Sequence, residues 1–198
     1  MPTRLPRGPK GRAAISAALR VGVLSDTHGL LRVEARAFLI GCDYIIHAGD
    51  IGSREILEVL AAIAPLIAVR GNNDREPWAK RLRDTETVRL GGAFVHVIHN
   101  IAELDIDPTA AGVKIVISGH SHQPVVEERN GILYINPGCC GPRRFKLPIS
   151  VGEIIVSGSA VDARIVDLGA GGAVRHRHPG HAQFRGSAIK IPESPTKR

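Results

Sequence analysis

From residue 18 to residue 69 the chain alternates continuous apolar runs with segments of helical spacing. Residues 18–25 are a predominantly apolar run and predict a buried strand; residues 31–40 have apolar positions at helical intervals and predict a helix. Residues 44–48 predict a second strand, residues 54–63 a second helix with Ser53 as its N-cap, and residues 66–69 a third strand. Strand and helix alternating over short links predict a parallel sheet. The second half follows another rhythm. Residues 85–90 and 93–98, joined at Gly91-Gly92, predict a hairpin; residues 104–111 predict a short helix capped by Gly112. Strands are then predicted at 114–118, 125–129, 132–136, 150–156 and 161–166, with a tight turn at Asn130-Gly131. The whole reads as an α/β protein with two sheets and no internal repeat.

Composition narrows this picture. The chain has 198 residues, enough for one domain with a full core. No apolar stretch approaches the roughly 20 residues that span a bilayer, so no membrane partner is expected. Three cysteines, Cys42, Cys139 and Cys140, two of them adjacent, make a poor disulfide framework and point to a reducing, cytoplasmic compartment. The net charge of +7 sits at the ends. Residues 1–17 carry four Lys/Arg and no acid, residues 171–198 six Lys/Arg and one acid, leaving a slight negative excess between. Both ends are rich in Pro, Gly and Ala without periodicity. The expected organisation is a disordered basic extension at 1–17, a folded domain at 18–168 and a disordered basic tail at 169–198.

Candidate chemistry lies in five islands: Asp26-Thr27-His28, Gly49-Asp50, Gly71-Asn72, His99, and Gly119-His120-Ser121-His122. Together they hold two carboxylates, four imidazoles and one carboxamide, the donor set of a two-metal site. Each island follows a predicted strand, and loops beyond the carboxyl ends of strands are where open α/β sheets bind ligands. Seven polar groups converging without a cation would be expensive to bury. His47 and His96 lie inside apolar runs and are read as strand residues.

These islands, in this order, together with Asn136-Pro137-Gly138, resemble the small calcineurin-like metallophosphoesterases. That branch comprises compact bacterial and archaeal phosphodiesterases and is related to the retromer's phosphoesterase-like subunit. The resemblance covers residues 18–168 and implies a two-sheet α-β-β-α sandwich of the metallo-dependent phosphatase type. It implies that Asp26, His28 and His122 hold one divalent cation, that Asn72, His99 and His120 hold another, and that Asp50 bridges them. Two dications carry +4 and the two carboxylates return −2, so positive charge remains for a phosphoester and a hydroxide. Two metals about 3.5–4 Å apart can activate a bridging water for in-line attack. Mixed nitrogen and oxygen donors suit Mn²⁺, with Fe, Ni or Zn as alternatives.

Two positions depart from the family pattern. Larger relatives place a proton-donating His directly after the metal-binding Asn, where this chain has Asn73, and a carboxamide cannot act as a general acid. Asp74 is the candidate catalytic proton donor in its place, beside Asp50. The family's usual His-Gly is His99-Asn100 here, and Asn is the next most tolerant residue of a left-handed backbone.

Arg143 and Arg144 follow the Asn-Pro-Gly turn and are candidates, with Asn72, for holding substrate phosphate. Trp78 is a candidate for stacking on a base or for covering the core. The leading function is a two-metal phosphodiesterase acting on a small or nucleotide-like diester. The alternatives are a nuclease that uses the basic ends on nucleic acid and a non-catalytic scaffold like the retromer subunit. A homodimer is compatible with each reading.

Overall fold

The computed structural model describes residues 18–169, Phe145 excepted. The predicted extensions at 1–17 and 169–198 lie outside the described residues, apart from Gly169. Ten strands form two five-stranded sheets. In chain order they are β1 (Leu19–Leu24), β2 (Tyr44–His47), β3 (Leu66–Ala68), β4 (Thr85–Leu90), β5 (Ala93–Ile98), β6 (Val113–Ile117), β7 (Val125–Arg129), β8 (Ile132–Asn136), β9 (Ser150–Ser157) and β10 (Ala160–Asp167). Two helices, α1 (Val33–Leu39) and α2 (Arg54–Ala61), lie between β1 and β3 in the chain.

The first sheet has the order β10-β9-β1-β2-β3, and the second β4-β5-β6-β8-β7. In the first, β1, β2 and β3 run parallel. In the second, β5, β6 and β8 run parallel, with antiparallel edges at β4 and β7. Each sheet therefore has a parallel core whose strands end on one rim.

Why two layers form is visible in the side-chain alternation. On β2, Ile46 faces the second sheet among Val21, Val23, Val95, Val97 and Ile115. Its neighbour Ile45 faces the other way, onto Phe38 and Leu39 of α1 and Leu60 of α2. A strand buried on both faces has to be apolar at successive positions, which is what its sequence shows. The outer face of the second sheet carries a smaller cluster, in which Val113, Val116 and Ile132 meet Ile106 and Tyr134.

Most predicted elements are present, and the 85–90 and 93–98 strands have the bounds expected. Ser53 is the N-cap of α2 with an extended backbone, although its hydroxyl makes no capping bond. The helix predicted at 104–111 does not form. A 3₁₀ turn at Ile101–Glu103 is followed by one isolated turn, closed by Ala111 N–H donating to Asp107 C=O. Pro108 is the reason: it supplies no N–H and pushes the residue before it away from helical geometry. The Asp107 carboxylate then takes the N–H groups of Thr109 and Ala110, and Gly112 reverses the chain at φ +69°.

Burial ranks positions for stability. Ile46→Ala, at a site with no exposure, is expected to lower unfolding free energy by about 2–5 kcal/mol. Phe94→Ala, on the outer face of β5 and 44% exposed, is expected to change it by under about 1 kcal/mol. Urea unfolding of the two variants checks both values.

Candidate metal centre

The loops that leave the parallel strands are tied together before any side chain is considered. Asp26 N–H donates to Gly49 C=O, His28 N–H to Asp50 C=O and Gly29 N–H to Ile51 C=O, lacing the loop after β1 to the loop after β2. Gly119 N–H donates to His99 C=O, which joins the loops after β5 and β6. Side-chain bonds also link the two sheets, and among them His99 Nδ1 lies 2.7 Å from Ala48 C=O. A carbonyl only accepts, so Nδ1 carries a proton, and Nε2 is the ring nitrogen turned toward the centre.

Side chains of all seven predicted residues meet there in two sets. His28 Nε2 and His122 Nε2 lie 3.8 and 3.5 Å from Asp26 Oδ1, with the two rings stacked in parallel. On the other side, His99 Nε2 and His120 Nδ1 lie 3.1 and 2.9 Å from Asn72 Oδ1. Asp50 stands between them, Oδ2 3.9 Å from His28 Nε2 and Oδ1 3.5 Å from His99 Nε2.

The backbone marks the same residues. Among the described residues six non-glycines have positive φ, and five of them are Asp26, His28, Asp50, His120 and His122. Such conformations are strained for side chains with a Cβ and persist where the surroundings over-determine them. The glycines of the islands are required by close approach. A Cβ on Gly49 would stand 2.6 Å from His99 Nδ1, and one on Gly71 would collide with the Asp50 backbone and carboxylate.

Electrostatics favour a cation. Asp26 is fully buried, and burial pushes its carboxyl up to about 6. For Asp50, burial acts upward too but is outweighed by hydrogen bonds from His99 and Asn73, and the net shift is downward. Burial lowers His28, and burial with the neighbouring His28 and Arg144 pushes His122 down to about 4, so both imidazoles keep free lone pairs. Asp26 Oδ1, His28 Nε2 and His122 Nδ1 are buried without a hydrogen-bond partner. Orphaned polar atoms of this kind cost about 1–3 kcal/mol each, and more when charged. The geometry and the nitrogen-oxygen donor set fit divalent cations.

The remaining predicted residues are placed differently. Asp74, expected as a proton donor, is engaged as an acceptor: its Oδ2 accepts from Ile51 and Gly71 N–H and its Oδ1 from Gly52 N–H. It is a buried strut that joins the loops after β2 and β3. Arg143 and Arg144 are exposed, Arg143 reaching Leu147 C=O at 3.5 Å. The Arg144 charge acts on His28 and His122, which sets it on their side of the centre. Trp78 packs against the α1–α2 core and its indole N–H donates to Glu76. Asn100 has φ −106° and needs no left-handed tolerance. A cavity of about 570 Å³ opens beside Asn72 and His99, with Arg70, Arg75, Lys80, Glu103 and Asp105 on its wall.

Two supports were not predicted. Asn136 donates to Gly119 C=O and Ser121 Oγ and accepts from Gly138 N–H, fixing the loop that carries His120 and His122. His47, read as a strand residue, closes a chain of bonds. Gly49 N–H donates to its Nδ1, its Nε2–H donates to Thr27 Oγ1, and the Thr27 hydroxyl donates to Ile51 C=O. The signal available in the sequence was a polar residue two positions before Gly49 in an otherwise apolar run.

Complete burial pushes His47 from 6.5 down to about 3. The unfolded chain therefore binds a proton that the fold refuses, and stability is lost as pH falls from about 6.5 toward 3. His47→Gln is expected to be less stable at pH 7, with a shallower loss over that window. Denaturant midpoints measured across pH check this.

Comparison with known proteins follows the geometry. Residues 19–157 match the calcineurin-like phosphoesterase superfamily domain. The chain is 33% identical over 165 residues to a probable metallophosphoesterase of Methanothermobacter thermautotrophicus, covering 76% of this chain and 93% of that one. It is 30% identical to a phosphodiesterase of Methanocaldococcus jannaschii, covering 62% and 86%. Among solved structures, an archaeal phosphodiesterase aligns with TM-score 0.64 at 26% identity, over 76% of this chain and all of that one. Vacuolar protein sorting 29 of Cryptosporidium parvum aligns with TM-score 0.67 at 22% identity, over 78% and 93%, which shows the shared fold. Family, sandwich and converging Asp/His sets agree: the chain belongs to the calcineurin-like phosphoesterase superfamily and is a metallophosphoesterase.

Proposed function

We propose that this metallophosphoesterase is a two-metal phosphodiesterase, with Asp26, His28 and His122 holding one divalent cation, Asn72, His99 and His120 the other, and Asp50 serving both. The observation that carries the reading is the convergence of buried, unpartnered acceptors, Asp26 Oδ1 and His28 Nε2 foremost, beside a second acceptor set around Asn72 Oδ1. Two divalent cations held by these residues would supply a water of lowered pKa and a clamp on the phosphoryl oxygens for in-line displacement. Mn²⁺ is the proposed metal, because the donor set is hard-to-borderline nitrogen and oxygen without thiolate.

The protein's own residues then divide the work. His99 is held by Ala48 C=O so that its Nε2 faces inward. Neutral donors outnumber the two carboxylates, which leaves net positive charge for an anionic ester. Arg143 and Arg144 lie exposed, with Arg144 toward the His28 and His122 side, and they suit a further phosphate oxygen. The cavity beside Asn72 is of small-molecule size and suits the alcohol part of a small or nucleotide-like diester. A diester is favoured over a monoester by relatives named phosphodiesterase. Among the described residues, no Phe, Tyr or Trp lines that cavity.

The test is hydrolysis of bis(p-nitrophenyl) phosphate and of p-nitrophenyl phosphate by chelator-treated protein titrated with Mn²⁺. Expected are metal-dependent turnover, a higher kcat/KM for the diester, and a loss of more than about 100-fold in Asp50→Ala and His120→Ala, beyond the effect of altering a supporting residue. Metal-independent turnover, or equal activity in the variants, contradicts the reading.

A further inference from the structure

Asn73 occupies the position where a proton donor is missing, and the structure gives it another task. Its side-chain Nδ2 donates to Asp50 Oδ2 at 2.6 Å, and its backbone N–H donates to Asp50 Oδ1 at 2.8 Å. One residue thus holds both oxygens of one carboxylate. From the other side His99 Nε2 faces Oδ1 and His28 Nε2 faces Oδ2, so each oxygen is turned toward a different ligand set. The backbone bond fixes Oδ1 whatever side chain stands at position 73. Only the carboxamide fixes Oδ2, and without it the carboxylate plane is free to turn about its last torsion.

We infer that Asn73 is a positioning residue that sets the carboxylate plane of Asp50, so that this one side chain serves both cation positions at once. The inference rests on the two-cation reading above. A carboxamide suits the task because it donates without charge. A lysine there would add positive charge beside the cations, and a carboxylate would face Asp50 with a second acceptor. Outer hydrogen-bond partners of ligating carboxylates commonly tune metal affinity by about 10–100-fold. The residue itself is exposed, so replacing it leaves the core untouched.

The test is a calorimetric Mn²⁺ titration of the metal-free full chain, followed by electron paramagnetic resonance of the same samples. Wild type is expected to take up two ions per chain and to give the spectrum of a spin-coupled pair. Asn73→Leu keeps the approximate shape and removes the donor. It is expected to bind one of the two ions about 10–100-fold more weakly and to show isolated-ion signals where wild type is coupled. Its metal-free melting temperature is expected to match wild type. Asn73→His places an N–H donor at the same distance along the side chain and is expected to restore the coupled pair. Asn73→Ala, read in the same way, separates loss of the donor from a packing fault of Leu.

Asn73→Leu and Asn73→Ala binding both ions as tightly as wild type would overturn the inference. Equal losses in the Leu and His variants, with melting unchanged, would overturn it too, because a restored donor would then have no effect. A wild-type chain that takes up fewer than two ions overturns the two-cation reading first, and the inference falls with it.

Discussion

Asp26 is a carboxylate with no solvent exposure, and one of its oxygens has no hydrogen-bond partner. A lone buried charge costs several kcal/mol, so a fold that retains one has to answer it or neutralise it. The answer is architectural. Two parallel strand cores, one in each sheet, end on a common rim, and their loops deliver His28, His99 and His122 to within about one ion's reach of Asp26 or Asp50. The hydrophobic layer between the sheets is what holds those two rims in register. Core packing and site chemistry are therefore one constraint, since loosening the sandwich moves His99 relative to Ala48 and parts the two ligand sets.

The backbone carries the second half of that cost. Asp26, His28, Asp50, His120 and His122 all sit in the left-handed region, at about 1–2 kcal/mol each. The loops are held there by interlocked polar contacts. Asp74 gathers three N–H groups, the His47–Thr27 chain spans two loops, Asn136 braces a third, and the Cys139 thiol reaches Asp26 C=O. None of these groups is turned toward the centre as a ligand. They hold the ligands in an arrangement that the sequence would not adopt locally, and a bound cation returns free energy to it.

Much of this was legible in the sequence because the relevant signals are local. Apolar runs marked the strands, Gly91-Gly92 and Asn130-Gly131 marked the hairpin turns, and polar islands after strands marked the site. What was not legible depends on distance. Asp74 reads as an acid beside a metal island, yet its role is set by backbone groups of Ile51 and Gly52, more than twenty residues away. His47 reads as a strand residue until Thr27 is seen across the parallel pair. The missing helix at 104–111 is a different kind of miss. Helical spacing was real there, but Pro108 and the competing acceptor at Asp107 outweighed it. Trp78 was left open between stacking on a base and covering the core, because nothing in a sequence tells which face of a loop an indole will take; it covers the core.

The central claim is that two cations occupy this rim, one in each ligand set. Anomalous diffraction at the manganese edge from crystals grown with Mn²⁺ tests it most directly. The account predicts two peaks per chain, one among Asp26, His28 and His122 and one among Asn72, His99 and His120, with Asp50 between them. A map with no peak at the rim, or with one ion bound away from Asp26, would contradict it.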